Sequence, residues 1–499
     1  MIGQGGQQVE GRGVGRRAVL GGLGAGALAL AGCSLGSSST VPEAESPRDA
    51  VRVRTDGVAT TLPADDTTGV AAVHALLTRA TTVVVTGPTA SDLGRGLAAA
   101  RDLGIPLLST GPDLGAELSR LGTRTVVGYG ATGLPTGLTV VRPEGTDTPD
   151  VDGLPRRPGH RGAVALVRRG TSLPPQVAAT VAAAGGRVVT VDGDDVRASA
   201  DAIAAVRAAP RAPVVALGFD VDDHHLTTRV GMMRTAAQLP GGGLLVFPAH
   251  HVIALYGHPG TASLGLLGEQ SAAASVTRVK KLADQYAALL DRPVLPAFEI
   301  IATVASGSRL DGSYSSKTPV ATIAPWIDAA EQAGIYTVLD LQPGRDTFLS
   351  QAKRYEELLA RPWVGLALDP EWRLGPTQRP LQQIGSVDVD EINETSQWLA
   401  DLVDHHRLPP KILTLHQFRT AMIHDRADLV TDHDELQIVV HVDGQGSQPD
   451  KQGTWKAIRQ DLPKDVFLGW KNFVDEDHPM LTPEQTVRVS PLPDLVTYQ

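Results

Sequence analysis

The sequence is poor in cysteine and in aromatic residues. Cys33 is the only cysteine among 499 residues, so no disulfide framework can form within the chain and the residues after it offer no thiol chemistry. Aromatic residues make up 4% of the chain, and all six tryptophans lie between Trp326 and Trp470. The first half is instead rich in Ala, Gly, Val and Arg, which indicates domains of different character.

Other absences exclude whole classes of function. Apart from its first residues, the chain has no apolar run of about 18 residues, so its body is not expected to span a membrane. It contains no Gly-x-Ser-x-Gly elbow, no glycine-rich phosphate loop and no His-Glu-x-x-His motif. The net charge of −10 argues against nucleic acid as a partner. No cofactor is predicted.

The first 33 residues have the order of an export signal. Arg12, Arg16 and Arg17 face only one acid, Glu10, and an apolar Gly/Ala/Leu stretch follows and ends in Leu-Ala-Gly-Cys33. A positive segment, a short apolar segment and a small-residue cleavage site predict a signal peptide over residues 1–32. The chain left after cleavage carries a net charge of −12.

Leu-Ala-Gly-Cys33 resembles the bacterial lipobox, which implies that the Cys33 thiol is acylated and that membrane lipid is a partner. The stretch around Arg16 and Arg17 resembles a twin-arginine export motif, although no aromatic residue follows the pair and Sec export stays open. Residues 33–60 are predicted to be a flexible tether, since residues 34–40 are rich in Ser and Gly. We expect an exported cell-membrane lipoprotein that faces the cell wall.

The first half predicts two α/β units, over residues 61–145 and 160–240. Short apolar runs at 82–86, 105–108 and 125–128 alternate with helical patterns, and a second set follows at 162–167, 187–190 and 213–217. Continuous apolar strands between helices are typical of Rossmann-like parallel sheets covered on both faces.

Residues 82–130 resemble the cell wall-binding repeat of Gram-positive surface proteins. The matching positions are Asp92-Leu93 in a helix, the Pro-Leu-Leu-Ser-Thr run at 106–110 and a turn at Leu121-Gly122. The resemblance implies cell-wall polysaccharide as a partner, while a doubly wound module without a ligand remains the alternative.

The second half, residues 245–499, predicts a (β/α)₈ TIM barrel. Eight strand-like runs are separated by segments long enough for helices. The runs are 252–256, 294–299, 335–340, 364–369, 411–416, 436–441, 466–470 and 495–498.

Nearly every one of these runs ends in polar residues that share one face, because side chains alternate along a strand. In a barrel such residues converge on the carboxyl-terminal mouth, where active sites lie. The predicted pocket residues are His258, Glu299, Asp340, Arg345, Trp372, His416, His441, Asp443, Trp470 and Asn472.

Residues 365–372, Gly-Leu-Ala-Leu-Asp-Pro-Glu-Trp, resemble the fourth-strand motif of chitinase-like glycosidases, which ends in Asp-x-Glu. The resemblance implies that Glu371 is the catalytic acid and that Asp369 is its partner, which holds the acetamido group of the substrate. The chain departs from that motif at Val364 and Ala367, where the family has aspartates, and at Pro370, where it has an aromatic residue.

Two alternatives stay open. His258, Glu299, Asp340, His416 and the His441-x-Asp443 pair are residue types that bind a divalent metal ion, although their spacing is not compact and no metal is predicted. In the other alternative the barrel binds a wall glycan without cleaving it, and Arg345 and Lys471 contact anionic groups of the polymer.

The motifs at 339–345, 366–372, 441–446 and 469–473 together resemble a barrel of actinobacterial lipoproteins with no assigned activity. That resemblance implies association with the wall-binding repeat, and it implies no reaction.

Overall fold

The computed structural model describes residues 50–145, 147–151, 154, 162–309 and 311–499. Arg16, Arg17 and Cys33, on which the export and lipidation predictions depend, lie outside the described residues. Within the described ranges, no helix combines the length and the apolar character needed to cross a membrane.

The first half contains two four-stranded parallel sheets, which confirms the predicted Rossmann-like units. The strand order of the first sheet is Leu107–Ser109, Thr82–Thr86, Thr125–Tyr129, Thr139–Val141. The order of the second is Ala59–Leu62, Val214–Leu217, Val164–Arg168, Arg187–Val191. Helices connect the strands: Val70–Leu76, Ala90–Leu103, Leu114–Arg120, Pro175–Ala183, Ala200–Ala208 and Asp223–Thr235.

Part of the range predicted to be a tether, 33–60, is folded. Val51–Val53 pairs antiparallel with Leu77–Ala80, and Ala59–Leu62 forms the edge of the second sheet beside Val214–Leu217. These two short strands are folded because each buries the apolar residues at its two ends. The residues between those ends are half-buried or exposed. The second sheet therefore includes a strand that precedes the first sheet in sequence.

The second half is a closed barrel of eight parallel strands, which confirms the predicted fold class. Each strand pairs with the next, and the eighth pairs with the first. We number them β1 (His251–Gly257), β2 (Val294–Ala305), β3 (Tyr336–Leu341), β4 (Val364–Leu368), β5 (Lys411–His416), β6 (Leu436–Val442), β7 (Phe467–Asn472) and β8 (Leu495–Tyr498).

Helices and short elements surround the barrel strands. The α-helices are Ala272–Ala287, Val320–Gln332, Phe348–Ala352, Glu356–Leu359, Val389–His406, Gln448–Ile458 and Pro483–Thr486. Ser315–Lys317 pairs antiparallel with the end of β2, and Val387–Asp388 pairs with Ile423–His424.

The interior of the barrel has an apolar floor and a polar upper layer. Phe247 packs against Phe467 at the floor, with ring centroids 4.8 Å apart. The Tyr336 hydroxyl accepts a hydrogen bond from the backbone N–H of Ile412. Above the floor the side chains that point into the barrel are ionisable. The close-packed apolar side chains beneath them hold the strand ends in fixed positions.

A buried ion-pair network joins the second sheet region to the barrel. Asp434, which lies just before β6, accepts hydrogen bonds from Arg229 Nε at 2.6 Å and approaches His225 Nδ1 at 2.9 Å. Arg197 donates to the Asp434 carbonyl oxygen and to Asp195, with Nη2 2.7 Å from Asp195 Oδ2. Asp434 and Arg197 are both buried, so salt screens the attraction between their charges much less than it would at the surface.

Candidate active site

A cavity of about 490 Å³ opens at the carboxyl-terminal ends of the barrel strands. This is the end at which TIM barrels place their active sites. Among the residues that line it are Tyr256, Asp369, Glu371, Trp372, Asp443 and Lys471. Its rim also contains apolar side chains, Leu264, Leu381 and Phe418, so the cavity offers both ionisable and apolar surface to a ligand.

The turn after β4 positions Glu371 in this cavity. Pro370–Trp372 forms a single 3₁₀ turn, and the Asp369 side chain caps it by accepting a hydrogen bond from the Glu371 N–H at 3.2 Å. The Glu371 carbonyl oxygen accepts from the Gly385 N–H at 2.6 Å, which ties the following loop back to the turn. Proline at the first position suits such a turn because its ring already fixes φ near the helical value.

The carboxyl groups of Glu371 and Asp369 both favour the protonated form. Burial raises the pKa of Glu371 to about 7, and the negative charge of Asp443 adds to that effect. Burial and the nearby Asp340 carboxylate raise the pKa of Asp369 well above its usual value. Near neutral pH, Glu371 is therefore able to donate a proton within the cavity.

A second network lies deeper, in the middle of β2 and at the ends of β5 and β6. His416 Nε2 is 2.7 Å from Glu299 Oε1, and His416 Nδ1 is 3.1 Å from Asp443 Oδ2. His441 Nδ1 lies 3.2 Å from His416 Nδ1, and His441 Nε2 lies 3.1 Å from the Thr497 hydroxyl. Each of the two imidazole rings thus has both nitrogens in contact with another polar group.

Burial and nearby charges shift the pKa values of His416 and His441 in opposite directions. Burial lowers the pKa of His416, but the Glu299 carboxylate and the hydrogen bond to Asp443 more than offset it, and the net pKa is well above the usual value. Burial and the positive charge of His416 hold the pKa of His441 well below its usual value. Burial raises the pKa of Asp443, yet the hydrogen bond from His416 leaves it lowered overall.

Asp340 forms a third group of contacts in the same layer. Its Oδ2 accepts a hydrogen bond from the Tyr256 hydroxyl at 2.7 Å, and Gln342 Nε2 is 3.4 Å from that hydroxyl. Burial raises the pKa of Asp340 to about 6, although the charge of His416 opposes the rise. Lys471 Nζ lies over the Tyr256 ring, 3.6 Å from its centroid, and supplies an ammonium group to a layer dominated by carboxylates.

The structure brings most of the predicted site residues together. Alternation along the strands directs them into the barrel or its mouth, as the sequence pattern predicts. The predicted residues found there are Glu299, Asp340, Asp369, Glu371, Trp372, His416, His441 and Asp443.

Trp470 and Asn472 do not face the pocket, which corrects their prediction. Trp470 packs edge-on against Trp455 in the surrounding helix, with centroids 5.5 Å apart, and its Nε1–H donates to Asn472 Oδ1 at 2.8 Å. Asn472 Nδ2 lies 3.2 Å from the Thr486 hydroxyl, also in the helical layer. The inward residue between them is Lys471, because alternate residues of a strand face opposite sides.

His258 and Arg345 lie beside the mouth and are engaged elsewhere. His258 Nε2 is 2.9 Å from the Thr318 hydroxyl, and its Nδ1 accepts from the Gly260 N–H. The Arg345 guanidinium donates to the Gln378 carbonyl oxygen at 2.8 Å and stacks 4.4 Å from the Tyr314 ring centroid. Both side chains therefore hold loops in place rather than line the cavity.

Sequence reasoning missed Thr497, the residue of β8 that faces the interior. The next residue, Tyr498, points outward, with its hydroxyl 2.6 Å from that of Tyr286. Gly469 on β7 faces the same side as Lys471, and its lack of a side chain leaves room for the His441 ring, which contacts Thr497.

Comparison with known proteins gives no further identification. No protein-family model matches the chain, and no curated protein sequence matches it. The resemblances to the wall-binding repeat, to chitinase-like glycosidases and to the lipoprotein barrel therefore stay predictions from the sequence.

Proposed function

We propose that the barrel hydrolyses glycosidic bonds in a wall or capsular polysaccharide, with Glu371 as the general acid. The observation that carries this proposal is the position of Glu371 in a mouth cavity with its pKa raised to about 7. Glycoside hydrolysis requires a carboxylic acid that still holds its proton at working pH and can give it to the leaving oxygen.

Asp369 is the proposed partner of Glu371. It lies two residues away, lines the same cavity and fixes the Glu371 backbone through its cap hydrogen bond. A carboxyl group whose pKa is raised can donate a hydrogen bond to a substrate oxygen or amide carbonyl. The resemblance to the Asp-x-Glu motif assigns the corresponding aspartate to the substrate's acetamido group, which fits a protonated Asp369.

Trp372 is the proposed sugar contact. It follows Glu371 in the same 3₁₀ turn, lines the cavity and is only half-buried. Indole rings present a large, flat apolar face, and the apolar rim residues Leu381 and Phe418 extend that surface.

The export signal completes the proposal. Acylation of Cys33, after cleavage of residues 1–32, would hold the barrel at the outer face of the membrane, and the first α/β unit would associate with wall polysaccharide. Replacement of Cys33 by alanine should move the protein from the membrane fraction to the soluble envelope fraction. Retention of Cys33→Ala in the membrane fraction would contradict lipid anchoring.

The test of catalysis compares two equivalent substitutions in one cavity. Purified wild type, Glu371→Gln and Glu476→Gln are incubated with a panel of N-acetylated, uronic and neutral wall polysaccharides, and new reducing ends are counted. Glu476 lines the same cavity but is exposed, so its variant controls for loss of one negative charge. We expect Glu371→Gln to lose about 100-fold or more of the rate and Glu476→Gln to retain it.

Two outcomes would oppose this function. Equal rates for wild type and Glu371→Gln would show that Glu371 is not the general acid. If wild type releases no reducing ends yet still binds a glycan of the panel in a pull-down, the barrel is a non-catalytic glycan-binding module.

A further inference from the structure

Three side chains at the ends of β5 and β6 have the spacing of metal ligands. One ligand atom from each of His416, His441 and Asp443 lies within 4.8 Å of the others. His416 Nδ1 is 3.2 Å from His441 Nδ1 and 3.1 Å from Asp443 Oδ2. Ligand atoms around a tetrahedral Zn²⁺ with bonds near 2.0–2.1 Å are about 3.3 Å apart, so the two separations from His416 Nδ1 match a shared ion.

The outer nitrogens of both rings already have partners. His416 Nε2 faces Glu299 Oε1 at 2.7 Å, and His441 Nε2 faces the Thr497 hydroxyl at 3.1 Å. Metal-binding histidines characteristically engage a carboxylate or another polar group through the nitrogen that does not bind the ion, which fixes the orientation of the ring. Here the two Nδ1 atoms are thereby directed toward each other and toward Asp443.

Asp443 supplies an independent observation. Its side chain is buried, with a relative exposure of 9%, and Oδ1 has no hydrogen-bond partner among the described residues. An unpaired buried carboxylate oxygen costs free energy unless it meets a cation or a donor. Asp443 also lines the mouth cavity, so a fourth ligand position would be open to that cavity.

Buried carboxylates flank the proposed ligands. Glu299 and Asp443 face the two nitrogens of His416, while the ammonium groups of Lys471 and Lys451 are the cationic side chains that act on His441. Two imidazoles and one carboxylate suit a borderline transition-metal ion better than Mg²⁺ or Ca²⁺, which prefer oxygen ligands.

We propose that His416, His441 and Asp443 form a binding site for a divalent transition-metal ion of the Zn²⁺ class, with one coordination position open to the mouth cavity. The proposal goes beyond glycoside hydrolysis and does not depend on it. A metal with three protein ligands and an open position can bind water or a substrate oxygen, and this position would share the cavity with Glu371.

The test measures metal binding by the full chain in the absence of any glycan. Chelator-treated protein is titrated with Zn²⁺ by calorimetry and with Co²⁺ by visible absorption. We expect one equivalent to bind and the thermal unfolding midpoint to rise with metal concentration, because the ion binds the folded state. His441→Ala and the isosteric Asp443→Asn should each weaken binding more than about 100-fold, and Glu299→Gln about 10- to 100-fold.

A surface histidine provides the matched control. His424 is half exposed, with its Nδ1 3.0 Å from Asp388, and His424→Ala should bind metal like wild type. Circular dichroism establishes that each variant is folded. Absence of stoichiometric binding by wild type, or unchanged binding by the folded Asp443→Asn variant, would overturn the site. Because no substrate is present, failure here is distinct from failure of the glycosidase assay.

Discussion

Glu299 and His416 form an ion pair sealed inside the barrel, with Glu299 Oε1 2.7 Å from His416 Nε2 and the two side chains 1% and 0% exposed. Breaking a buried ion pair by removing one partner is strongly destabilising, and Glu299→Ala would leave His416 with Asp443 as its remaining hydrogen-bonded carboxylate. We therefore expect Glu299→Ala to lower the free energy of unfolding by about 3–5 kcal/mol, as measured by urea denaturation.

The control for this prediction is Glu357→Ala, since Glu357 is exposed on a short helix outside the barrel. Its free energy of unfolding should stay within about 0.5 kcal/mol of wild type. A loss below about 1 kcal/mol for Glu299→Ala would mean that the pair is hydrated rather than sealed.

Gly469 leaves the space that the His441 ring occupies. A Cβ atom at Gly469 would lie 2.1 Å from His441 Cδ2 and 3.1 Å from His441 Cα. We expect Gly469→Ala to displace the ring, to lower stability by about 1–3 kcal/mol and to weaken Zn²⁺ binding. Gly453→Ala is the control because nothing lies near that position; an unshifted His441 side chain in a crystal structure of Gly469→Ala would contradict the expectation.

The effect of Glu371 on stability should depend on pH. Its folded-state pKa is about 7, above the ordinary 4.5, so the folded state holds this proton more tightly than the unfolded state does. Wild type is therefore expected to lose stability relative to Glu371→Gln as pH rises from about 4.5 to 7. Above that window the variant should be more stable by about 1–3 kcal/mol, an interval that allows for screening at a partly exposed group.

Urea denaturation at about pH 4.5 and at about pH 8 measures this difference. Glu476→Gln, at the exposed rim, is the control for loss of one carboxylate. A stability difference between wild type and Glu371→Gln that is equal at both pH values would rule out the raised pKa.

Asp434 connects the second sheet region to the barrel through Arg197, Arg229 and His225. Asp434→Ala leaves buried Arg197 with Asp195 as its remaining ion-pair partner among the described residues, so we expect the free energy of unfolding to fall by about 2–4 kcal/mol. Hydrogen exchange should increase in the helix Asp223–Thr235, which carries Arg229 and His225. Asp432→Ala, at an exposed site two residues away, should leave the free energy of unfolding and the hydrogen exchange unchanged. Equal behaviour of the two variants would mean that the Asp434 network does not stabilise this contact.

The eight barrel strands could be predicted from the sequence because each is a short apolar run, buried on both faces. The site could be predicted where a strand ends in alternating polar residues, as with His441 and Asp443, since only one face of such a strand can look into the barrel. At β7 both faces carry side chains suited to a pocket, Trp470 and Asn472 on one and Lys471 on the other, and alternation alone does not decide which face looks inward.

Contacts between distant strands could not be predicted. The pairing of Glu299 with His416 joins residues 117 positions apart, and only the closed barrel brings them together. The same is true of the His416 and His441 nitrogens, whose 3.2 Å separation changes two isolated strand-end histidines into a candidate metal site.

The pH dependence of kcat/KM for reducing-end release measures whether Glu371 delivers a proton from the barrel mouth, as we propose. The proposed reaction requires Glu371 to be protonated before substrate binds, so kcat/KM should fall about tenfold per pH unit above a midpoint near 7, and Glu371→Gln should lack that basic limb. A flat profile between about pH 6 and 8, or a basic limb that persists in Glu371→Gln, would mean that Glu371 is not the proton donor.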